Sequence, residues 1–137
     1  RNPAVAAMEI ATLARLFQLQ PDARSAINRA VAYAVFEVDA SGDGRGMLVE
    51  DSIQEETLMG VHGAGPLQGG AYRQVWVIRD PRTYRQFLSH GWSFPQGARL
   101  GQRLAPRLQY VAGEKETGQR KARGQFLPRH RHFIRLA

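Results

Sequence analysis

The sequence predicts an α+β fold: a single compact domain, residues 1–137, with a mostly antiparallel, glycine-rich sheet and flanking helices. Three observations carry this. Two segments begin with a capping residue followed by proline, several short runs rich in β-branched and aromatic residues are separated by glycine and aspartate turns, and no repeat or domain boundary interrupts the chain. At 137 residues, 43% of them hydrophobic, the chain can bury a core large enough to need no staple.

Asn2 is a good N-cap and Pro3 suits the first helical position, where the missing N–H costs nothing. Met8, Ile10, Leu13, Leu16 and Phe17 then give a broad apolar face until Pro21 ends the helix. Pro21 and Asp22 open a second, short helix through Ala26, Ile27 and Ala30. From Val31 the run Val-Ala-Tyr-Ala-Val-Phe fits a buried strand. Asp39-Ala40-Ser41-Gly42-Asp43-Gly44 is a turn by composition, because Asp and Ser bond their own backbone and Gly supplies positive φ. Strands follow at Gly46–Val49 and Thr57–Val61, joined by an acidic connection from Glu50 to Glu56.

A glycine-rich stretch, Gly60 to Gly70, leads into Tyr72–Ile78, the clearest strand in the chain. Its apolar residues Val75 to Ile78 are consecutive and call for cover on both faces. Asp80-Pro81 repeats the cap-then-proline start, and Tyr84, Phe87 and Leu88 lie at i, i+3, i+4 before Gly91 stops the helix. Leu108–Val111 and Phe126–Leu136 read as further strands, although Pro106 and Pro128 interrupt them.

Charge is unevenly placed. Residues 1–80 hold seven arginines against ten acidic residues, a balance of −3, whereas residues 81–137 hold ten arginines and two lysines against two glutamates, a balance of +10. Such polarity attracts polyanions, either an anionic lipid surface or a nucleic acid. The absence of cysteine excludes thiol nucleophiles, cysteine-ligated zinc and iron–sulfur clusters. The longest apolar run, Ala30 to Phe36, is far short of the ~20 residues of a membrane-spanning helix. A first residue other than Met, without an apolar leader, reads as a trimmed or mature chain.

Catalytic patterns are scarce. The stretch nearest a nucleophile elbow, Gly91-Trp92-Ser93-Phe94-Pro95, ends in proline, and neither a Walker loop nor a His-Glu-x-x-His pair occurs. His130 and His132 would share one face of a strand but have no third ligand close in sequence. An acid–base pair such as Glu50 with His62 has no motif behind it. We therefore expect no enzyme. Asp39, Ser41, Asp43 and Glu50 stand at loop positions 1, 3, 5 and 12 with Gly44 at 6, the spacing by which an EF-hand wraps calcium. The same residues fit a plain hairpin tip. Calcium at these four residues is the one cofactor the sequence suggests.

Further residues carry a family resemblance. Ala32-Tyr33-Ala34-Val35-Phe36, Gly44-Arg45-Gly46-Met47-Leu48-Val49, Gly63-Ala64-Gly65, Gly69 through Ile78 and Phe87 through Phe94 resemble, in order and spacing, the SYLF lipid-binding domain family, most clearly over residues 22–100. The resemblance implies an α/β globule that binds phosphoinositides and other lipids at membranes, in a family whose bacterial members are often exported. It also recasts the calcium spacing, since Gly44-Arg45-Gly46 would then be a strand entry and the residues before it a hairpin tip.

The resulting expectation is a non-enzymatic lipid-binding domain acting at anionic phospholipid or phosphoinositide membrane surfaces. Its lipid contacts are expected in the basic C-terminal half: Arg99, Arg103 and Arg107, which at i, i+4, i+8 would line one face of a helix, together with Lys121, Arg123, Arg129 and Arg131. Apolar insertion of the first helix would complement them. A periplasmic or outer-membrane-associated location in a bacterium follows from the resemblance. The alternatives are a nucleic-acid module using the same basic half, with Tyr110, Phe126 or Phe133 stacking on bases, and a calcium-binding protein using the 39–50 loop.

Overall fold

A computed structural model describes residues 2–62, 70–94, 101–112 and 124–135, the side chains of 92–94 and 124–135 excepted. Helix α1 runs Pro3–Leu19. Asn2 caps it as expected, its side-chain oxygen accepting from the amides of Ala4 (3.0 Å) and Val5 (3.1 Å). Helix α2 is Asp22–Asn28. Strands β1 (Ala32–Val38), β2 (Gly44–Glu50), β3 (Glu55–His62) and β4 (Tyr72–Ile78) follow, then helix α3 (Pro81–His90), capped by the Asp80 carboxylate on the Thr83 amide. Strands β5 (Trp92–Phe94), β6 (Gln102–Ala105), β7 (Leu108–Val111) and β8 (Gly124–Arg135) complete one eight-stranded sheet in the order β5-β8-β3-β2-β1-β4-β7-β6. All pairings are antiparallel except β4 with β7. The fold is α+β, with a mostly antiparallel sheet.

The sheet is covered on both faces. Even-numbered residues of β1 and β4 (Ala34, Phe36, Val38, Tyr72, Trp76, Ile78) join Tyr84 and Phe87 of α3 in one core. Odd-numbered residues (Val35, Val75, Val77) join Val5, Met8, Leu16, Ala23 and Ile27 of α1 and α2 in the other. Phe36, Trp76 and Phe87 form the centre of the α3 side. Phe36 stacks on Phe87 at 6.2 Å between ring centroids, and Trp76 meets both edge-on. The Trp76 indole donates to Gln74 Oε1 (3.1 Å) and the Gln74 amide donates to Gln109 Oε1 (2.6 Å), a buried polar bridge from β4 to β7.

Two expectations are corrected. Ile10 does not join the apolar face of α1; it is 66% exposed, because the stripe facing the sheet is Val5, Met8, Thr12 and Leu16, and position 10 lies about 200° around the helix from position 8. The segment containing Arg103 and Arg107 is a β-hairpin rather than a helix. Gly101, at φ +65°, and Pro106 in the β6–β7 turn both break helical continuity. Pro128 is accommodated inside β8 opposite Met59, where the β3–β8 register shifts and the ladder is already irregular.

Gly46 faces Phe36 across the β1–β2 ladder, and a Cβ there would run into the Val35 carbonyl oxygen and the Phe36 ring. Since one obstacle is backbone, Gly46→Ala should destabilise the domain by roughly 1–3 kcal/mol, read as a lower urea midpoint at unchanged m-value.

Candidate functional site

The ends of β1 and β3 and the starts of β2 and β4 meet at one end of the sheet, where the β1–β2 hairpin tip and the β6–β7 turn also lie. An open groove of about 870 Å³ runs across this end, lined among others by Glu37, Asp39, Asp43, Arg45, His62, Tyr72, Arg73 and Arg107. It shares Arg73 and Arg107 with a smaller groove of about 360 Å³ on the α1 side of the sheet. The smaller groove is lined by Thr12, Arg15, Arg73, Ala105, Pro106, Arg107 and Leu108. Among the described residues no carboxylate lines it. Burial pushes the Tyr72 phenol up to about 12, so at the edge of the larger groove it stays neutral and polar.

Each cation owes its position to a local rule. Arg73 is an odd-numbered residue of β4 and so stands on the α1 face, at the strand's start, where the apolar cover thins out. Its cross-strand neighbour Glu37 is bonded instead to Arg45, Oε1 to Nε at 3.0 Å. Arg73 turns to α1 and donates from Nη1 to the Thr12 hydroxyl oxygen at 3.0 Å. That hydroxyl, 1% exposed, donates to the Met8 carbonyl at 2.7 Å, which fixes the direction of its accepting lone pair. Arg107, in the turn, donates from Nη1 to the Ala71 carbonyl at 2.8 Å. Arg15 has only a long 3.5 Å contact to Gln18. Among the described residues none of these three arginines is paired with a carboxylate.

Beside this groove lies the outer face of α1. Its exposed residues are Pro3, Ala4, Ala7, Ile10, Ala11, Ala14, Arg15 and Gln18, with Arg15 as the sole charge. A solvent-facing helix surface ordinarily carries charges of both signs.

Of the residues expected at lipid, Arg103 and Arg107 are exposed on and after β6 and do not form a helical stripe; Arg103 Nη2 donates to the Pro106 carbonyl at 3.1 Å and braces the turn. Arg129 and Arg131 lie on β8, and Arg99, Lys121 and Arg123 lie outside the described residues. Arg15 and Arg73 were missed because they belong to the net-acidic part of the chain. For Arg73 the available signal was a charged residue at the inward period of a largely apolar strand; Arg15, exposed on a helix, carried none.

The calcium spacing does not become a site. Asp39 closes the hairpin tip, its Oδ1 accepting from the Ser41 hydroxyl and from the amides of Ser41 (2.9 Å) and Asp43 (3.2 Å), with Gly42 at φ +92°. Glu50 is at the opposite end of β2, six residues and ~20 Å beyond Gly44, because extended chain separates what an EF-hand loop would gather. Among the described residues no group of three or more candidate ligands is placed to hold a metal. Glu50 and His62 are at opposite ends of β2 and β3, so they form no acid–base pair. Tyr110 is buried in the α1-side core and offers no face to a nucleic-acid base.

Fold and site together define an α+β domain with a groove lined, among the described residues, by three arginines and no carboxylate, beside a helix face whose sole charge is Arg15. No family model matches the chain. Over 98 residues it is 31% identical to Beta cell expansion factor A of Aeromonas veronii, an alignment covering 65% of this chain and 38% of that protein. The chain therefore spans less than half the length of this relative. Among the described residues no helix is long and apolar enough to cross a membrane.

Titration with calcium to millimolar concentration should give no heat assignable to Asp39, Ser41, Asp43 and Glu50, and D43A and E50A should leave any calorimetric trace unchanged. The Ser41 hydroxyl and neighbouring amides hold the Asp39 carboxyl below the usual carboxylate range. The stabilisation this gives the turn is complete above the ordinary Asp value of ~3.9 and is lost as pH falls through the depressed one. Amide shifts of Ser41 and Asp43 should accordingly titrate below pH ~3.9 in NMR spectra.

Proposed function

We propose that this chain is a non-enzymatic lipid-binding domain that docks on anionic membrane surfaces, in a bacterium at the periplasmic or outer-membrane side. The observation that carries this reading is the pairing of three arginines that have no carboxylate partner among the described residues, Arg15, Arg73 and Arg107, with an outer face of α1 whose sole charge is Arg15. An interface between water and lipid asks for this combination: cations near the headgroups and small apolar side chains at the acyl boundary. The +10 balance after residue 80 adds longer-range attraction, and the resemblance to the SYLF family points the same way.

Flotation with phosphatidylcholine vesicles, with and without phosphatidylserine, tests the proposal. Binding should require the anionic lipid and weaken steeply as the Debye length falls from ~10 Å at 0.1 M salt to ~3 Å at 1 M. At ~1 kcal/mol for each cation near the surface, replacing Arg15, Arg73 and Arg107 together by glutamine should weaken binding about 100-fold. Indifference to anionic vesicles, with capture of single-stranded nucleic acid instead, would overturn it.

A further inference from the structure

We infer that Arg73 and Arg107, with Arg15 at the rim, form a defined seat for a single phosphate monoester rather than part of a diffuse basic surface. The inference rests on the reading of this groove as the ligand-facing side of the domain and gives that side a chemical preference.

Three features of the groove point to it. The first is charge. Three arginines and, among the described residues, no carboxylate line a space of about 360 Å³, although the adjoining larger groove has Glu37, Asp39 and Asp43 on its wall. Glu37 faces Arg73 across the β1–β4 ladder and is nevertheless bonded to Arg45. Like charges gathered in this way repel one another, and a bound dianion relieves the repulsion.

The second is preorganisation. Arg73 and Arg107 are each held by one neutral acceptor that belongs to the scaffold, the Thr12 hydroxyl (3.0 Å) and the Ala71 carbonyl (2.8 Å). A guanidinium has five N–H donors, so each tether leaves most of its fork for a ligand. Thr12 is a positioning residue. Its own proton is committed to Met8, so it fixes where the Arg73 fork points without supplying a donor of its own.

The third is shape and wall chemistry. Ala105, Pro106 and Leu108 form an apolar side to the groove, which lowers the local dielectric and strengthens the arginine–anion attraction. A phosphate monoester carries about −1.5 to −2 charges and three terminal oxygens. A phosphodiester or carboxylate offers one charge and two oxygens. Two tethered forks and a third cation match the monoester, and arginine serves such bidentate geometry where lysine acts only as a point charge.

The shared chemistry is the phosphoryl group, which a lipid headgroup or a small soluble ester can supply, and the experiment separates these sources. Vesicles of phosphatidylcholine containing phosphatidic acid are compared with vesicles containing phosphatidylserine, at matched zeta potential, and glycerol 3-phosphate is titrated into the protein alone. The wild-type chain should prefer phosphatidic acid about tenfold, the worth of one charge-assisted hydrogen bond. R73K and R107K keep the charge and lose the fork; together they should abolish the preference while keeping salt-sensitive binding to phosphatidylserine. T12V should reduce the preference and T12S restore it, with thermal melts of all variants confirming that they fold. Glycerol 3-phosphate that binds through Arg73 and Arg107 in a chain that binds neither kind of vesicle would support the phosphate seat and reject the membrane reading. Equal binding to both vesicles with no response to glycerol 3-phosphate would overturn the seat and leave the membrane reading standing. A preference that survives R73K/R107K would also overturn it, because the selective group would then lie elsewhere.

Discussion

Strand β4 presents apolar side chains to both faces, and a strand of that kind is stable only inside a sandwich. Trp76 and Ile78 need α3; Val75 and Val77 need α1 and α2. The order of the chain supplies these covers from opposite directions, the first two helices arriving before the sheet and the third directly after β4. Strand β1 lies beside β4 in full register and carries the same two-sided pattern, so the pair forms the spine to which the remaining strands attach. The polar exceptions on this spine are informative. Gln74 is tolerated because Trp76 and Gln109 satisfy its amide, and Arg73 because the cover ends where its side chain begins.

Burial of polar groups elsewhere on the α1 face follows the same logic. Glu9 is nearly enclosed and accepts a hydrogen bond from the Tyr33 hydroxyl at 3.2 Å. Enclosure, together with the Glu9 charge, raises the Tyr33 pKa and keeps that proton on the phenol. Helix α1 is thereby tied to β1 by a polar bond in its first half and to β4 by the Thr12–Arg73 bond further along. A helix fixed at two points along its inner face can leave its outer face with a single charge, Arg15, without losing its register on the sheet.

Much of the architecture could be read from the sequence where a local rule is strong. Asn2-Pro3 and Asp80-Pro81 start helices because capping and a fixed φ act within one turn, and the unbroken Val75–Ile78 run reports two-sided burial directly. The edges were less legible. Positions 99, 103 and 107 have a helical spacing, yet Gly101 and Pro106 impose a hairpin; spacing among charges is a weak signal beside a backbone that cannot comply. The groove was harder still. Its arginines come from α1, β4 and the β6–β7 turn, residues 15, 73 and 107, and no window of sequence contains them together. The C-terminal charge excess pointed to Arg107 and away from its two companions, because net charge is summed along the chain and a site is assembled across it.

The parallel pairing of β4 with β7 also governs when the groove comes into being. Its residues are 35 apart in the chain, as in the Gln74–Gln109 bond, and the sequence between them carries α3, β5 and β6, of which β5 pairs with the still later β8. Contacts of such sequence separation carry a loop-closure cost and form late. The hairpins β1–β2 and β2–β3, closed over a few residues, have no such delay. Arg73 therefore waits for Arg107, and an incompletely folded chain has a helix, a set of hairpins and scattered positive charge, but no place where three arginines face the same space. The three-arginine cluster is thereby a mark of the finished fold, complete only once β7 lies beside β4.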